Sequence, residues 1–131
     1  MAVLDHIGLY VEDLEKSQIF YGGFFGFREH SRLSVGQSKM VFLNIGYGLL
    51  ELIQRPGAPG EPSSGKRSDV AFHVDNFDEI KSRIEGTGLE FLEKSLEDGT
   101  RVGGFKDPDG HYIEIVDRPF FQKTISHGIK R

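Results

Sequence analysis

Apolar and polar residues alternate over short stretches of this chain, with the period of two that is typical of half-buried β-strands. In the first half these stretches are Val3–Val11, Phe27–Leu33, Lys39–Asn44 and Gly48–Arg55. In the second half they are Ser68–Val74, Leu89–Lys94, Arg101–Lys106 and Tyr112–Asp117. The pattern therefore predicts four strands in each half of the chain.

A helix is predicted after the first strand of each half. Asp13 is a suitable N-cap for the first helix, and Gly22-Gly23 lies at or near its end. The second helix is predicted at Phe77–Glu85. Each half thus follows the order βαβββ, and the same module occurs twice. The apolar face of the first helix is expected to carry Leu14, Ile19 and Phe20.

The repeat predicts an α+β fold of two βαβββ modules. The first module occupies residues 1–55 and the second occupies residues 68–118. Between them, residues 56–67 form a linker rich in Pro, Gly and Ser, and residues 119–131 form a C-terminal tail. Within the second module, the segment Asp107–Gly110 (DPDG) is a strong turn signal between the last two strands.

Four residues stand out because they are imidazoles and carboxylates inside otherwise apolar strands. They are His6, Glu51, His73 and Glu114. Burying such groups without a partner costs several kcal/mol, so a shared partner is expected. Each module places His on its first strand and Glu on its last, so we interpret the four as equivalent positions around one metal site with nitrogen and oxygen donors.

Period two places further polar residues on the same strand faces as these four. Tyr10 shares a face with His6, Arg55 with Glu51, and both Tyr112 and Arg118 with Glu114. We expect these side chains to contact a substrate. The opposite faces are apolar and are expected to form the core with Leu50, Leu52, Val70, Phe72, Ile113 and Ile115.

Three further histidines are not included in the predicted site. His30, His111 and His127 fall in predicted loops, at strand edges or in the tail. We therefore expect them at the protein surface.

Composition excludes several classes of function. The 131 residues carry a net charge of −4, which offers no support for nucleic-acid binding. There is no cysteine, so disulfides, thiolate ligands and a cysteine nucleophile are excluded. The N-terminus does not resemble a secretory signal, and no apolar run is long enough to cross a bilayer. A cytoplasmic protein without membrane or nucleic-acid partners is the expectation.

The resemblance to a known family rests on four segments, Asp5–Phe27, Leu49–Gln54, Val70–Ile80 and Phe105–Asp117. They resemble the vicinal oxygen chelate superfamily, which includes glyoxalase I (lactoylglutathione lyase), fosfomycin-resistance enzymes, extradiol dioxygenases and bleomycin-resistance proteins. The sequence DPDGHYIEI within the last segment carries much of this resemblance. The resemblance implies paired modules that form an open barrel-like sheet around one divalent metal, which binds two adjacent substrate oxygens.

Within the superfamily, the sequence is most similar to glyoxalase I-like proteins, because Glu51 supplies the fourth ligand of the glyoxalase pattern. This implies a lyase that isomerises a hemithioacetal or related α-hydroxycarbonyl through an ene-diolate. His6 and His73 would be permanent ligands, while Glu114 or Glu51 would carry the proton, with Glu114 favoured. Imidazole and carboxylate suit Ni, Co, Zn, Mn or Fe, and the compact length resembles the Ni- or Co-activated class.

Two residues depart from the glyoxalase pattern. Tyr10 and Arg55 occupy positions where Arg and Asn would hold a glutathione carboxylate, so the thiol carrier is left open. The alternatives are an Fe(II) extradiol-type dioxygenase, an acyl-CoA epimerase and a non-catalytic binding protein of the bleomycin-resistance kind. The presence of all four ligands argues against the last of these.

The resemblance also implies a homodimer with sites shared between chains. The first module of one chain would face the second module of its partner. His6 and Glu51 would then meet His73 and Glu114 across the interface, and a dimer would hold two equivalent sites.

Overall fold

A computed structural model describes residues 3–57 and 70–119 of the chain. These residues belong to two compact units. Unit 1 contains the elements of the first predicted module together with the turn Asp107–Gly110, and unit 2 contains the elements of the second. Residues 58–67 of the predicted linker and residues 120–131 of the predicted tail lie outside the described residues.

Unit 1 is a four-stranded mixed sheet with one helix. The elements are β1 (His6–Tyr10), α1 (Leu14–Phe25), β2 (Arg28–Val35), β3 (Ser38–Asn44) and β4 (Leu49–Gln54). In the sheet the strand order is β1-β4-β3-β2, with β1 parallel to β4 and the other pairs antiparallel. The predicted βαβββ order is confirmed.

Unit 2 repeats this plan. Its elements are β5 (Val70–His73), α2 (Phe77–Gly86), β6 (Leu92–Ser95), β7 (Arg101–Lys106) and β8 (Tyr112–Val116). The strand order is β5-β8-β7-β6, again with one parallel pair, β5 with β8. The predicted strand at residues 89–94 begins three residues later, at Leu92.

The ends of α1 follow from its capping residues. The Asp13 carboxylate accepts a hydrogen bond from the Lys16 N–H at 3.1 Å, as predicted for an N-cap. The helix continues past Gly22-Gly23 to Phe25, so the two glycines lie near its end, as predicted. It ends at Gly26, whose φ of 72° is the left-handed conformation that glycine adopts without a steric cost.

The core of each unit lies between its helix and one face of its sheet. Leu50 and Leu52 in unit 1, and Ile113 and Ile115 in unit 2, are fully buried, as the alternation predicted. Burying one such side chain contributes about 1.5–3 kcal/mol. Ile19 was expected on the buried face of α1 but is 72% exposed, because the helix turns that position away from the sheet.

The turn Asp107–Gly110 belongs to unit 1 because its carboxylates bond to α1 and the residues before it. The buried Tyr21 hydroxyl donates to Asp107 at 2.6 Å. Burial and this carboxylate raise the pKa of Tyr21 far above its ordinary value. Asp109 accepts hydrogen bonds from the Glu12 N–H and the Ser17 hydroxyl. The sequence predicted the turn but not these bonds.

In the described part of the chain, neither helix has the length and apolar character that crossing a bilayer requires.

Candidate metal centre

In unit 1, His6 and Glu51 lie side by side on neighbouring parallel strands. His6 pairs with Leu49 and Gly8 pairs with Glu51, so the two side chains project from the same face of the sheet. The distance between His6 Nε2 and Glu51 Oε1 is 3.4 Å. The Glu51 side chain is 13% exposed and the His6 side chain 42%, so the pair combines a shielded carboxylate with an accessible imidazole.

Two neighbouring residues shape the space around this pair. Phe42, opposite Glu51 in the β3–β4 ladder, packs edge-on against the His6 ring with centroids 5.9 Å apart. A Cβ at Gly8 would lie 3.3 Å from Glu51 Oε1 and 3.2 Å from Ile53 Cδ1. Glycine at this position therefore keeps the approach to the carboxylate open.

Asp5 holds the other side of the imidazole. The distance between His6 Nδ1 and Asp5 Oδ2 is 2.8 Å. This hydrogen bond raises the pKa of His6 above 6.5, and the charges of Glu51 and Asp5 add to the effect while burial opposes it. The two ring nitrogens of His6 thus face two different carboxylates.

In unit 2, His73 and Glu114 lie on one face of the sheet, but no hydrogen bond or ion pair joins them. Ala71 is the residue opposite Glu114, and His73 pairs with Val116. His73 Nε2 lies 4.0 Å from the carboxylate of Asp75, which is fully exposed. Glu114 is half-buried. The pair is therefore looser than the pair in unit 1.

The expectation that the two histidines are equivalent is wrong at the level of strand register. His6 lies two residues before the β1 residue opposite Glu51, whereas His73 lies two residues after the β5 residue opposite Glu114. His73 is therefore the counterpart of Tyr10. By the offset that relates Glu51 to Glu114, the sequence counterpart of His6 is Asp69, which lies outside the described residues.

Whether these residues fit a metal depends on which donor atoms the fold brings together. Across residues 3–57 and 70–119, no group of three or more His, Cys, Asp or Glu side chains is placed to hold a metal ion. The structure brings together His6 and Glu51, an imidazole nitrogen and a carboxylate oxygen. This donor pair fits a divalent transition metal.

The four predicted substrate residues lie in different surroundings. The Arg55 guanidinium lies over the Tyr10 ring, 4.7 Å from its centroid, so these two form one surface in unit 1. Tyr112 is buried, and its hydroxyl occupies the space that a Cβ at Gly104 would need. Arg118 donates to the main-chain oxygen of Asp98 at 3.0 Å, which holds the β6–β7 turn.

A cavity in unit 2 adds residues that the sequence did not indicate. Its volume is about 190 Å³, and Glu114 and Tyr112 line it together with Leu92, Lys94 and Val102. Lys94 pairs with Val102 across β6–β7, so the ladder places both on the face of Glu114. The period of the short strand β6 could have indicated Lys94, had its register been known.

A larger cavity of about 590 Å³ lies in unit 1 at the beginning of α1. Its lining contains none of the predicted site residues and is mostly charged side chains of both signs, such as Glu15, Lys16 and Arg32. The cavity beside Glu114 is the better candidate site because it contains a predicted functional group.

The three remaining histidines have different outcomes. His30 is exposed on β2, as expected. His111 was expected at the surface but is buried, with 8% exposure. It directly precedes the buried start of β8, where the chain has already entered the core. His127 lies outside the described residues.

Comparisons with known proteins agree on the fold. The model of the Glyoxalase/Bleomycin resistance protein/Dioxygenase superfamily matches residues 3–115. Glutathione transferase FosA of Serratia marcescens is 29% identical, covering 86% of this chain and 78% of that protein. Lactoylglutathione lyase of Neisseria meningitidis is 25% identical, covering 93% and 95%. FosX of Listeria monocytogenes, solved with Mn(II) and sulfate, has a TM-score of 0.73 at 23% identity and covers 95% and 98%.

Proposed function

Because the chain belongs to the glyoxalase/bleomycin resistance protein/dioxygenase superfamily, we propose that it is a metal-dependent lyase of the glyoxalase I kind. Its reaction would be the isomerisation of a hemithioacetal or a related α-hydroxycarbonyl. The observation that carries the proposal is the His6–Glu51 pair, which presents a nitrogen and an oxygen donor 3.4 Å apart. Similarity to the neisserial lactoylglutathione lyase supports the choice of reaction.

The proposed metal ligands are His6, Glu51, His73 and Glu114, two from each unit. A divalent metal held there would supply Lewis-acid polarisation of two neighbouring substrate oxygens. We favour Ni or Co among Ni, Co, Zn, Mn and Fe. The Mn(II) in the structure of the Listeria FosX supports a divalent ion at this kind of site.

Glu114 is the proposed proton carrier. Its carboxylate would take the proton from the carbon that bears the hydroxyl and return it to the neighbouring carbon, so the substrate is isomerised without a net change in atoms. Glu114 lies beside a cavity whose walls include the buried side chains Tyr112 and Val102. Glu51 would serve as the second carboxylate.

Four further residues are proposed to bind the substrate, namely Tyr10, Arg55, Tyr112 and Arg118. The contact of Arg55 with the Tyr10 ring supports a joint role for these two, because it holds the guanidinium in one place. Their identity differs from the glutathione-binding pattern, so we propose a weak preference for glutathione. A carrier of different chemistry would then be the natural thiol.

We also propose that the enzyme acts in the cytoplasm as a homodimer in which each site takes His6 and Glu51 from one chain. The partner's His73 and Glu114 would complete that site. The order of elements in the two units supports this proposal, since each sheet carries one candidate pair.

The test is metal analysis followed by a substrate panel. Protein purified without added metal is analysed for divalent ions, and turnover is then measured with methylglyoxal and several thiols, with acyl-CoA epimers and with catechols. We expect isomerisation of a hemithioacetal that requires a divalent metal. Turnover of catechols or epimers alone would assign one of the alternatives, and a protein that binds no metal would point to a binding protein.

A second candidate is thiol transfer of the FosA kind, favoured by the 29% identity to the Serratia enzyme. Adding fosfomycin and thiol without any aldehyde separates this reaction from isomerisation, because isomerisation needs the hemithioacetal that a thiol forms with an aldehyde.

A further inference from the structure

We propose that Asp5 is a positioning residue, which fixes the His6 ring so that Nε2 is the nitrogen offered to a metal. The inference rests on the proposed function, since it concerns the same site. It assigns a role to a side chain outside the four proposed ligands.

The hydrogen-bond geometry around the ring selects one tautomer. His6 Nδ1 lies 2.8 Å from Asp5 Oδ2, and a carboxylate only accepts hydrogen bonds, so the Nδ1–H donates to it. Nε2 then carries the lone pair and lies 3.4 Å from Glu51 Oε1. A carboxylate that accepts from one ring nitrogen fixes the ring orientation and makes the other nitrogen a stronger ligand.

The main chain holds Asp5 beside the strand that carries Glu51. The Asp5 carbonyl accepts a hydrogen bond from the Leu49 N–H at 3.0 Å. The adjacent Gly48 has a φ of 86°, and a Cβ there would lie 2.9 Å from the Asp5 carbonyl oxygen. Glycine therefore permits this close approach of the two chain segments. As a result, β4 both carries Glu51 and holds the main chain of Asp5, and the two carboxylates lie on either side of the His6 ring.

The second candidate histidine lacks such a partner geometry. His73 Nε2 lies 4.0 Å from Asp75 Oδ1, which is beyond hydrogen-bond distance. Both aspartates are largely exposed, so both can be replaced by Asn with the same loss of charge and little expected change in packing. Asp75→Asn is therefore a matched control for Asp5→Asn.

The first measurement is the affinity for Ni²⁺ alone, by titration of the full chain in competition with a chelator. We expect Asp5→Asn to weaken binding by about 10–100-fold, the usual effect of removing such a partner. Asp75→Asn is expected to bind Ni²⁺ as the wild type does. Equal affinity of Asp5→Asn and wild type, or an equal loss in both variants, would overturn the proposal.

The second measurement needs no metal and separates this inference from the proposed function. In the metal-free protein, ¹⁵N NMR at a pH where His6 is neutral should show the Nδ1–H tautomer in the wild type and a mixture in Asp5→Asn. If the wild type binds none of Ni²⁺, Co²⁺, Zn²⁺, Mn²⁺ and Fe²⁺, the proposed function fails, and the tautomer still decides whether Asp5 fixes the ring. An unchanged tautomer in Asp5→Asn would refute the positioning role. Unchanged thermal unfolding of the variant would show that the fold is intact.

Discussion

In unit 1 the imidazole of His6 and the carboxylate of Glu51 are 3.4 Å apart, whereas in unit 2 His73 turns toward the exposed Asp75. The sheets have the same strand order, but the histidines lie on opposite sides of the residue that faces the glutamate. One histidine lies two residues before that position and the other two residues after it. The difference of four residues corresponds to about 13 Å along a strand. A repeat that is evident in the order of elements therefore does not make individual residues equivalent.

The largest expected effect concerns the two histidines themselves. His6→Ala should weaken Ni²⁺ binding by more than about 100-fold, because a ligand contributes more than the partners that orient it. His73→Ala, at the other proposed imidazole ligand, should weaken binding less than His6→Ala does, since its register removes it from the position that His6 occupies. Competition titration of both variants measures the difference, with the exposed His30→Ala as the control.

Equal losses in the two variants would show that register does not distinguish the histidines. If His73→Ala binds Ni²⁺ normally while Asp69→Asn does not, the equivalence with His6 belongs to residue 69 instead. In that case the two modules would still be equivalent, and Asp69 would replace His73 as the ligand from the second module.

Mixing two inactive chains tests whether the units of different chains complete one another. His6→Ala and Glu114→Ala chains are unfolded and refolded together, and turnover is measured. With shared sites, about a quarter of the wild-type activity should return, because half of the dimers are mixed and each has one intact site. No recovery, despite dimers of mixed mass, would place each site within a single chain.

Two glycines, one in each unit, allow the units to be compared by a smaller effect, the change in the free energy of unfolding. A Cβ at Gly104 would overlap the hydroxyl of the buried Tyr112, so Gly104→Ala should destabilise the protein by about 1–3 kcal/mol. Gly8→Ala meets only the ends of the Ile53 and Glu51 side chains and should cost less than about 1 kcal/mol. Urea unfolding measures both. Gly23→Ala is the control, because nothing lies within 4 Å of its added Cβ.

The smallest effect is expected from the charge networks. In unit 1, hydrogen bonds from Arg32 and Gln18 lower the pKa of Glu29 from 4.5 to about 2. In unit 2, Arg101 and Lys81 lower the pKa of Glu93 in the same way. Because the folded-state pKa of Glu29 is depressed, its stabilisation is complete above about pH 4.5 and is lost as the pH falls toward 2.

Thermal unfolding of wild type and Glu29→Gln between pH 6 and pH 2 measures this contribution. The difference in Tm should be small, because the network is exposed, and it should disappear at the acidic end. A difference that grows on acidification would contradict the assignment. Glu93→Gln is the corresponding variant in unit 2.

Much of the fold could be predicted because alternation and capping act locally. The apolar stripe that includes Leu50 and Ile113 marks the buried sheet faces, and Asp13 marks the beginning of α1. The end of α1 was predicted only approximately because three glycines follow one another closely, and only the backbone shows that Gly26 adopts the left-handed conformation. The burial of His111 was also missed, since a turn sequence does not show what packs around it.

The candidate site also has one part that the sequence predicted and one part that only the structure shows. The residue types in the strands indicated a metal, because an imidazole or carboxylate in an apolar strand needs a partner. The contacts of Asp5 with His6 and of Arg55 with Tyr10 were not predicted, because period two assigns side chains to a face of the sheet but does not show which of them touch. Arg118 shows the reverse case, since its face was predicted but the Asp98 carbonyl holds its guanidinium.

By itself, the sequence determined the two βαβββ modules, the buried sheet faces and the chemical types available to the site, because these depend on spacing within single elements. Only the tertiary structure decided that Gly8 lies opposite Glu51 and Ala71 opposite Glu114. The physical reason is that strand register depends on hydrogen bonds between segments 43 residues apart, such as Gly8 with Glu51. No local pattern encodes that pairing, and a slip of two residues leaves every side chain on the same face.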